Sequence, residues 1–126
     1  MTQKMINFPS TFTDEQLEYI GQSVVAVAKQ TCGDRLRGVI LYGSYARGDF
    51  QEWSDVDIMV LADADDSACR QFVRKIIEEL VELNHHMNLL LSVLVKPYQQ
   101  FEHFKRDYAF YRNVDKEGIP LCIARN

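Results

Sequence analysis

The sequence predicts an α/β (α+β) fold, in which a mixed β-sheet has helices packed mainly on one side. Segments with apolar residues at helical spacing alternate with short apolar runs rich in β-branched residues. Helices and strands therefore interleave instead of forming separate blocks. One run, Ile58–Leu61, is apolar without alternation, which is typical of a central strand covered on both faces.

The first half of the chain is predicted to form one helix and two strands. Thr13–Gln16 has the form of a capping box, and the apolar spacing behind it predicts a helix ending near Gln30. Gly38–Tyr42 is short, apolar and partly β-branched, and Gly43 closes it, so we predict a buried strand and a tight turn. A second strand is expected from about Asp55 to Leu61.

The second half is predicted to contain helices and two further strands. An acidic segment suits the N-terminal end of a helix, and Lys96-Pro97 is expected to stop a strand because proline cannot donate to a ladder. In chain order we predict a long helical stripe over Cys69–Leu83, a strand over Leu89–Val95, one or two short helices over Phe101–Tyr111 that end at Gly118, and a last short strand over Ile119–Ile123.

Length and composition are those of one globular domain, expected to span residues 1–126. No stretch reaches the about eighteen apolar residues of a membrane span, and Met1–Ser10 lacks a signal-peptide run, so we expect a cytoplasmic protein with no membrane partner. The cysteines, Cys32, Cys69 and Cys122, lack a Cys-x-x-Cys spacing, which favours reduced thiols over zinc ligands.

The charge distribution argues against long nucleic acid as a partner. The net charge is −4, and the basic residues are scattered along the sequence. A single nucleotide remains compatible with this charge, because a bound divalent cation can supply positive charge that the protein surface lacks.

Two acids, Asp55 and Asp57, are the first candidates for chemistry. Residues two apart on a strand share a face with Cα atoms roughly 6.5 Å apart, so both carboxylates would aim into one space. Mg²⁺ commonly binds through one or two carboxylates, completed by water and substrate phosphates. The alternative is that Ser54 and Asp55 cap a turn and Asp57 is solvated at a strand end.

The Gly43-Ser44 turn is the second candidate. Directly after a strand, Gly43 would let a phosphate approach the backbone, while the Ser44 hydroxyl and the following N–H groups could donate to phosphate oxygens. The alternative is an ordinary strand-to-helix turn with Ser44 as the N-cap.

Together these residues carry a family resemblance. Gly43-Ser44, ten further residues and then Asp55-Val56-Asp57 resemble the Gly-Ser-x10-Asp-x-Asp signature of the polymerase-beta-type nucleotidyltransferase superfamily. The segment 45–49 and Ser54 resemble its minimal nucleotidyltransferases, which are small stand-alone bacterial members. The likeness runs from about Gly38 to Cys122 and implies a nucleotidyltransferase-like mixed sheet.

The resemblance implies Mg²⁺-dependent transfer of a nucleoside monophosphate, AMP from ATP or the equivalent from another triphosphate, to an acceptor hydroxyl. By position, Gly43 and Ser44 would hold the triphosphate, while Asp55 and Asp57 would be the catalytic and metal-binding acids. Arg47 is a candidate to steady phosphate charge, and a solvated arginine at a helix end is the equal alternative.

One departure from the family pattern concerns a third carboxylate. Active members usually carry it on a neighbouring strand, but Leu89–Val95 contains no acid and Ser92 is its only polar residue. A serine replaces a carboxylate neither as a base nor as a strong magnesium ligand. Other acids, Glu102, Asp107 and Asp115, follow in predicted helices.

The resemblance also implies a partner, because similar small bacterial proteins are often antitoxins paired with a helical HEPN-type toxin. Three functions stay open: a transferase acting on a protein or on a small molecule such as an antibiotic, a catalytically impaired binding subunit, and a nucleotide sensor. Trp53 could contact a nucleotide base or simply pack. His85-His86 follows a helical stretch, where the helix dipole favours histidine, and metal binding there is not expected.

Overall fold

A four-stranded sheet organises residues 11–123, the part of the chain that the computed structural model describes. The strands are ordered β3-β2-β1-β4; β1 pairs antiparallel with β2 and β4, and β2 pairs parallel with β3. The predicted mixed sheet is therefore confirmed. In chain order the elements are α1 (Asp14–Cys32), β1 (Leu36–Tyr42), α2 (Ser44–Arg47), β2 (Val56–Ala62), α3 (Asp66–Glu79), α4 (Val81–Met87), β3 (Leu91–Pro97), α5 (Tyr98–Phe104), α6 (Ala109–Glu117) and β4 (Ile119–Ile123).

Strand β2 lies inside the sheet and is buried on both faces, as its unbroken apolar run predicts. Ile58 and Val60 pack into a core shared with the long helices α1 and α3. Met59 and Leu61 point to the other face, where the shorter helices α5 and α6 supply a second core. The greater length of helix therefore lies on one side of the sheet.

Helix α1 begins at the predicted capping box. The Gln16 N–H donates to Thr13 Oγ1 at 3.1 Å, and the Thr13 N–H donates to Gln16 Oε1 at 2.9 Å. The helix ends at Cys32, two residues beyond the predicted end at Gln30, where Gly33 takes a positive φ of 57°.

Two predicted boundaries in the second half are wrong. The helical stripe over Cys69–Leu83 is divided at Leu80 into α3 and α4. Strand β3 starts at Leu91 and includes Lys96 and Pro97, which pairs with Ala62. Proline is tolerated because it is the last residue of an edge strand, where a missing N–H interrupts no inner ladder.

The end of the chain follows the prediction. Two short helices, α5 and α6, follow β3; α6 stops at Gly118, and β4 occupies the predicted Ile119–Ile123. No helix within residues 11–123 is long and apolar enough to cross a membrane. The expectation about Met1–Ser10 lies outside the described residues, and a single domain over 1–126 stays a prediction.

The capping box gives a direct test of what starts α1. We expect Thr13→Ala to lower the free energy of unfolding by about 1 kcal/mol, because the Gln16 N–H loses its acceptor. The measurement is the urea midpoint at unchanged m value. Ser23→Ala is the control, since it removes another α1 hydroxyl, which donates to the Tyr19 carbonyl in mid-helix. Equal losses in both variants would contradict the capping role.

The cysteines should differ in reactivity because only the thiolate reacts with iodoacetamide. Burial raises the pKa of Cys32 from 9.0 to about 11, and burial with the charges of Asp66 and Asp65 raises the pKa of Cys69. We therefore expect the half-buried Cys122 to be alkylated first at neutral pH, as read by peptide mass spectrometry.

The same shift at Cys32 affects stability. Its folded-state pKa lies above the unfolded value, so its contribution is complete below pH 9.0 and is lost as pH rises through about 11. Alkylation of Cys32 at the rate of Cys122 in the folded protein at neutral pH would contradict this assignment.

Candidate functional site

The turn between β1 and α2 has a backbone that requires glycine. Gly43 has φ 78° and ψ −158°, a region that residues with a side chain almost never adopt. Its carbonyl accepts the N–H groups of Ala46 at 3.1 Å and Arg47 at 3.0 Å, which starts α2. Gly43 is thus the N-cap, and the alternative in which Ser44 caps the helix is not what the structure has.

The carboxylate of Asp57 lies directly against this turn. Antiparallel pairing places Asp57 opposite Tyr42, the residue before Gly43. A Cβ built on Gly43 would overlap Asp57 Oδ2. The glycine is therefore required both by the local backbone and by a carboxylate contributed from the neighbouring strand.

Asp57 is electrostatically unusual. Its burial and the nearby charge of Asp55 both raise its pKa, and the charge of Arg47 lowers it. Burial and the charge of Asp57 in turn raise the pKa of Tyr42 to about 12. An ionised Asp57 is held in a partly desolvated place next to another acid, where a cation would be favourable.

Asp55 lies just before β2 and is exposed. Side chains alternate along the strand, so Asp55 falls on the same face as Asp57, the face covered by α5 and α6. Within residues 11–123, no group of three or more His, Cys, Asp or Glu residues is arranged to hold a metal ion. Two carboxylates fit a Mg²⁺ ion only when water and phosphate oxygens complete its ligands.

A cavity of about 350 Å³ opens where the turn and Asp57 meet helix α6. The cavity is lined by four of the five predicted site residues, Gly43, Ser44, Arg47 and Asp57, and Asp55 is not among its lining residues. Helix α6 supplies a further wall, which was not predicted from the sequence. The lining residues of α6 follow Phe110 by three, four and seven positions, so they share one face of the helix. This spacing was the sequence signal that could have indicated the wall. The further lining residues are Tyr42, Phe110, Asn113, Val114 and Glu117.

Arg47 is held by two carboxylates at the mouth of this cavity. Its Nε donates to Asp49 Oδ2 at 3.2 Å, and its Nη1 donates to Glu117 Oε1 at 3.4 Å. These bonds, that of Asp49 foremost, raise the pKa of Arg47. Arg47 is thus an exposed arginine at the end of α2 that has two carboxylate partners, and an incoming phosphate would compete with Glu117 for it.

The strand position next to Asp57 is occupied by Ser92. Parallel pairing of β2 with β3 sets Asp57 and Ser92 in register, so Ser92 stands where a neighbouring strand could have offered another carboxylate. The acids considered from sequence lie elsewhere. Lys105 contacts Glu102 at 3.2 Å and Asp115 at 3.8 Å, and neither these acids nor Asp107 lines the cavity.

The chain is similar to nucleotidyltransferases over most of its length. Residues 27–122 match the nucleotidyltransferase domain family. Two relatives from Methanocaldococcus jannaschii are named protein adenylyltransferases. MJ0604 is 33% identical over 87 residues, which is 69% of this chain and 79% of that protein. MJ0141 is 34% identical over 88 residues, which is 70% of this chain and 81% of that protein.

Solved structures share the fold. A nucleotidyltransferase from Sulfolobus solfataricus matches with a TM-score of 0.53 at 19% identity, over 84% of this chain and 78% of that one. A chain from a toxin–antitoxin crystal structure with AMP-PNP matches with a TM-score of 0.50 at 18% identity, over 83% of this chain and 74% of that one. At such identities the likeness concerns the fold alone.

The contact between Gly43 and Asp57 predicts an unusually damaging substitution. Gly48→Ala is the control, because Gly48 also has a positive φ, 89°, but a Cβ there meets nothing within 4 Å. We expect Gly43→Ala to lower the free energy of unfolding by about 1–3 kcal/mol more than the control, measured in urea.

A double substitution separates overlap from backbone strain in this test. In an Asp57→Ala background the added methyl group of Gly43→Ala no longer meets the carboxylate, so the excess over Gly48→Ala should shrink. An excess of unchanged size would contradict the overlap and leave only the backbone of Gly43 as its cause.

Proposed function

The chain belongs to the nucleotidyltransferase domain family, and from this premise we propose that it transfers a nucleoside monophosphate, AMP from ATP in the first instance, to a hydroxyl of a protein acceptor. The observation that carries the proposal is the contact of the Asp57 carboxylate with the Gly43-Ser44 turn at the mouth of a cavity. The carboxylate thus lies next to a turn whose N–H groups could donate to phosphate oxygens.

The reaction is a substitution at the α-phosphorus of the triphosphate. The acceptor oxygen forms a bond to that phosphorus, the bond to the bridging oxygen of the β-phosphate breaks, and pyrophosphate leaves with the electron pair. The proton of the acceptor hydroxyl passes to water. The residues of the chain contribute mainly by positioning, with the Gly43-Ser44 turn holding the phosphates that leave.

Asp55 and Asp57 would hold a divalent cation, for which Mg²⁺ is our proposal. Bound there, the cation would neutralise charge on the phosphates and align the attacking and leaving oxygens. The raised pKa of Asp57 supports this role, because a partly desolvated acid beside a second acid is stabilised by a positive ion. Arg47 would give up its hydrogen bond to Glu117 and donate to a phosphate oxygen instead.

A protein acceptor is favoured by the names of the relatives, which are called protein adenylyltransferases. An antibiotic acceptor has no comparable support. One structural neighbour comes from a toxin–antitoxin structure, so the partner that we propose to test first is a helical toxin of the HEPN type. We propose the cytoplasm as the place of this reaction.

A second candidate function rests on Ser92. With a hydroxyl in register with Asp57, no carboxylate stands at that position to take the acceptor proton or bind the cation. Loss of a general base commonly lowers a rate by about 10² to 10⁴. The same chain could therefore act as a nucleotide-binding or partner-binding antitoxin subunit with little or no transfer activity.

The transfer proposal predicts a covalent adduct. Incubation with Mg²⁺, ATP and the protein encoded beside this chain should raise the mass of that protein by one AMP, and other triphosphates should react less. Asp57→Asn should lower the rate by at least about 10², since the cation loses a ligand. Asp63→Asn is the matched control, because Asp63 follows the opposite end of β2, where it pairs with Arg37. No adduct, together with a complex that survives Asp57→Asn, would favour the binding subunit instead.

Ser92→Asp offers a test in the direction of gain. A carboxylate beside Asp57 in Ser92→Asp should raise the transfer rate by about 10². The control variant Ser92→Ala should leave the transfer rate unchanged. Without Mg²⁺ the new acid should lower the melting temperature through repulsion with Asp57, and Mg²⁺ with ATP should restore it. A variant that gains neither activity nor stabilisation by Mg²⁺ would contradict the geometry assigned to Ser92.

A further inference from the structure

Helix α6 forms a wall of the cavity at the Gly43-Ser44 turn, and most of that wall carries no charge. The cavity, about 350 Å³ in volume, has the size of a site for a small organic molecule. Its charged lining residues are Arg47, Asp57 and Glu117. The remaining lining, apart from the turn itself, is uncharged and consists of Tyr42, Phe110, Asn113 and Val114.

The α6 wall extends away from the phosphate-binding end of the cavity. Glu117 marks the near end of the wall, because its Oε1 accepts a hydrogen bond from Arg47 Nη1 at 3.4 Å. A helix rises about 1.5 Å per residue, so Asn113 lies roughly 6 Å and Phe110 roughly 10 Å further along the helix axis. In a nucleotide the ribose separates the base from the phosphates by a comparable length. A triphosphate held by Ser44 and Arg47 would therefore bring its base to this part of α6.

Phe110 presents an aromatic ring at the far end of the wall. Its ring and that of Tyr42 have centroids 5.8 Å apart and planes at 86°, an edge-to-face contact that occupies at most one face of the Phe110 ring. Phe110 is nevertheless 45% exposed, although it is a large apolar residue. Every nucleic-acid base has a π-face that can stack on an aromatic side chain. Phe110 thus offers a supported ring on which a base could stack.

Asn113 places an amide on the same face of α6, three residues after Phe110. Its side chain is exposed and makes no hydrogen bond to any other residue within 11–123. An asparagine amide has one acceptor oxygen and a donor nitrogen. This pair complements adenine, which offers an amino donor beside a ring-nitrogen acceptor, whereas guanine offers two acceptors, O6 and N7, on the corresponding edge.

Other exposed aromatic residues lie away from this cavity. Trp53, considered from the sequence as a base contact, is not among the residues that line it. Tyr108 precedes α6 but stacks on Phe104 with ring centroids 4.7 Å apart, and it does not line the cavity either. Of the aromatic residues in the lining, Tyr42 is half-buried, so Phe110 is the exposed one.

We infer that α6 binds the base of the nucleoside triphosphate, with Phe110 stacked on the base and Asn113 hydrogen-bonded to the edge of adenine. The inference rests on the proposed transfer function and adds the residues that select the nucleotide. Asn113 Oδ1 accepts from the adenine amino group, and Asn113 Nδ2 donates to the neighbouring ring nitrogen. Selection of adenine thus depends on contacts separate from those of the Gly43-Ser44 turn with the phosphates.

Calorimetric titration with MgATP, MgGTP and magnesium tripolyphosphate separates the base contacts from the phosphate contacts. Tripolyphosphate has no base, so its binding reports on the turn and Asp57 and also shows that a variant is folded. MgATP should bind about tenfold more tightly than MgGTP. Phe110→Leu should weaken binding of both nucleotides by about tenfold and leave tripolyphosphate binding unchanged. Tyr108→Leu is the matched control, because Tyr108 is an exposed aromatic residue outside the cavity, and it should change each affinity by less than about twofold.

Asn113→Asp tests the contact with the base edge. A carboxylate only accepts hydrogen bonds, so it loses the donor for the adenine ring nitrogen and can accept from the N1–H and amino groups of guanine. The ratio of the MgGTP to the MgATP dissociation constant should fall by about tenfold. The added charge also repels phosphates, and the tripolyphosphate titration measures that uniform effect. Gln71→Glu is the control, because it adds the same charge at an exposed position of α3, and it should leave the ratio unchanged.

Two results would overturn the inference: a MgGTP to MgATP ratio that Asn113→Asp does not change, or nucleotide binding that Phe110→Leu does not weaken. If Phe110→Leu raised only the KM for the acceptor protein, the α6 wall would belong to the acceptor instead. Failure of the transfer proposal has a different signature, because magnesium tripolyphosphate would then bind neither to the protein nor in dependence on Asp57, as Asp57→Asn would show. Tripolyphosphate binding without any preference for a base would refute the role of α6 alone.

Discussion

The arrangement depends on one close approach, that of the Asp57 carboxylate to the α-carbon of Gly43. An acid with a raised pKa is brought against a backbone turn that only glycine can form. Packing stabilises a contact that the isolated pieces would avoid, because β1 and β2 are paired up to Tyr42 and Asp57 and are buried beneath helices on both faces. Burial of the core thus keeps the Asp57 carboxylate at a position where it could bind a cation that accompanies a phosphate.

The sheet order explains which groups lie beside this contact. β2 lies between β1, which ends in the Gly43 turn, and β3, which brings Ser92 into register with Asp57. The cavity with α6 opens beside the turn.

Electrostatics make the site dependent on what binds there. The charges of Asp57 and Asp55 repel each other. Arg47 forms ion pairs with Asp49 and Glu117, and its charge also lowers the pKa of Asp57. A triphosphate with its cation would replace this balance by stronger pairs, since the cation serves the acids and the phosphates compete for Arg47. This balance would favour binding of a cation and a triphosphate together over binding of either alone.

The sequence by itself determined the local features. The capping box at Thr13, the apolar β2 run and the Gly43 turn each depend on neighbours in the chain, so periodicity and turn chemistry predicted them. Only the tertiary structure decided which distant groups meet. The contact of Arg47 with Glu117 spans 70 positions, and the pairing of Asp57 with Ser92 follows from strand register. These contacts are set by how whole elements pack, and no local pattern encodes that packing.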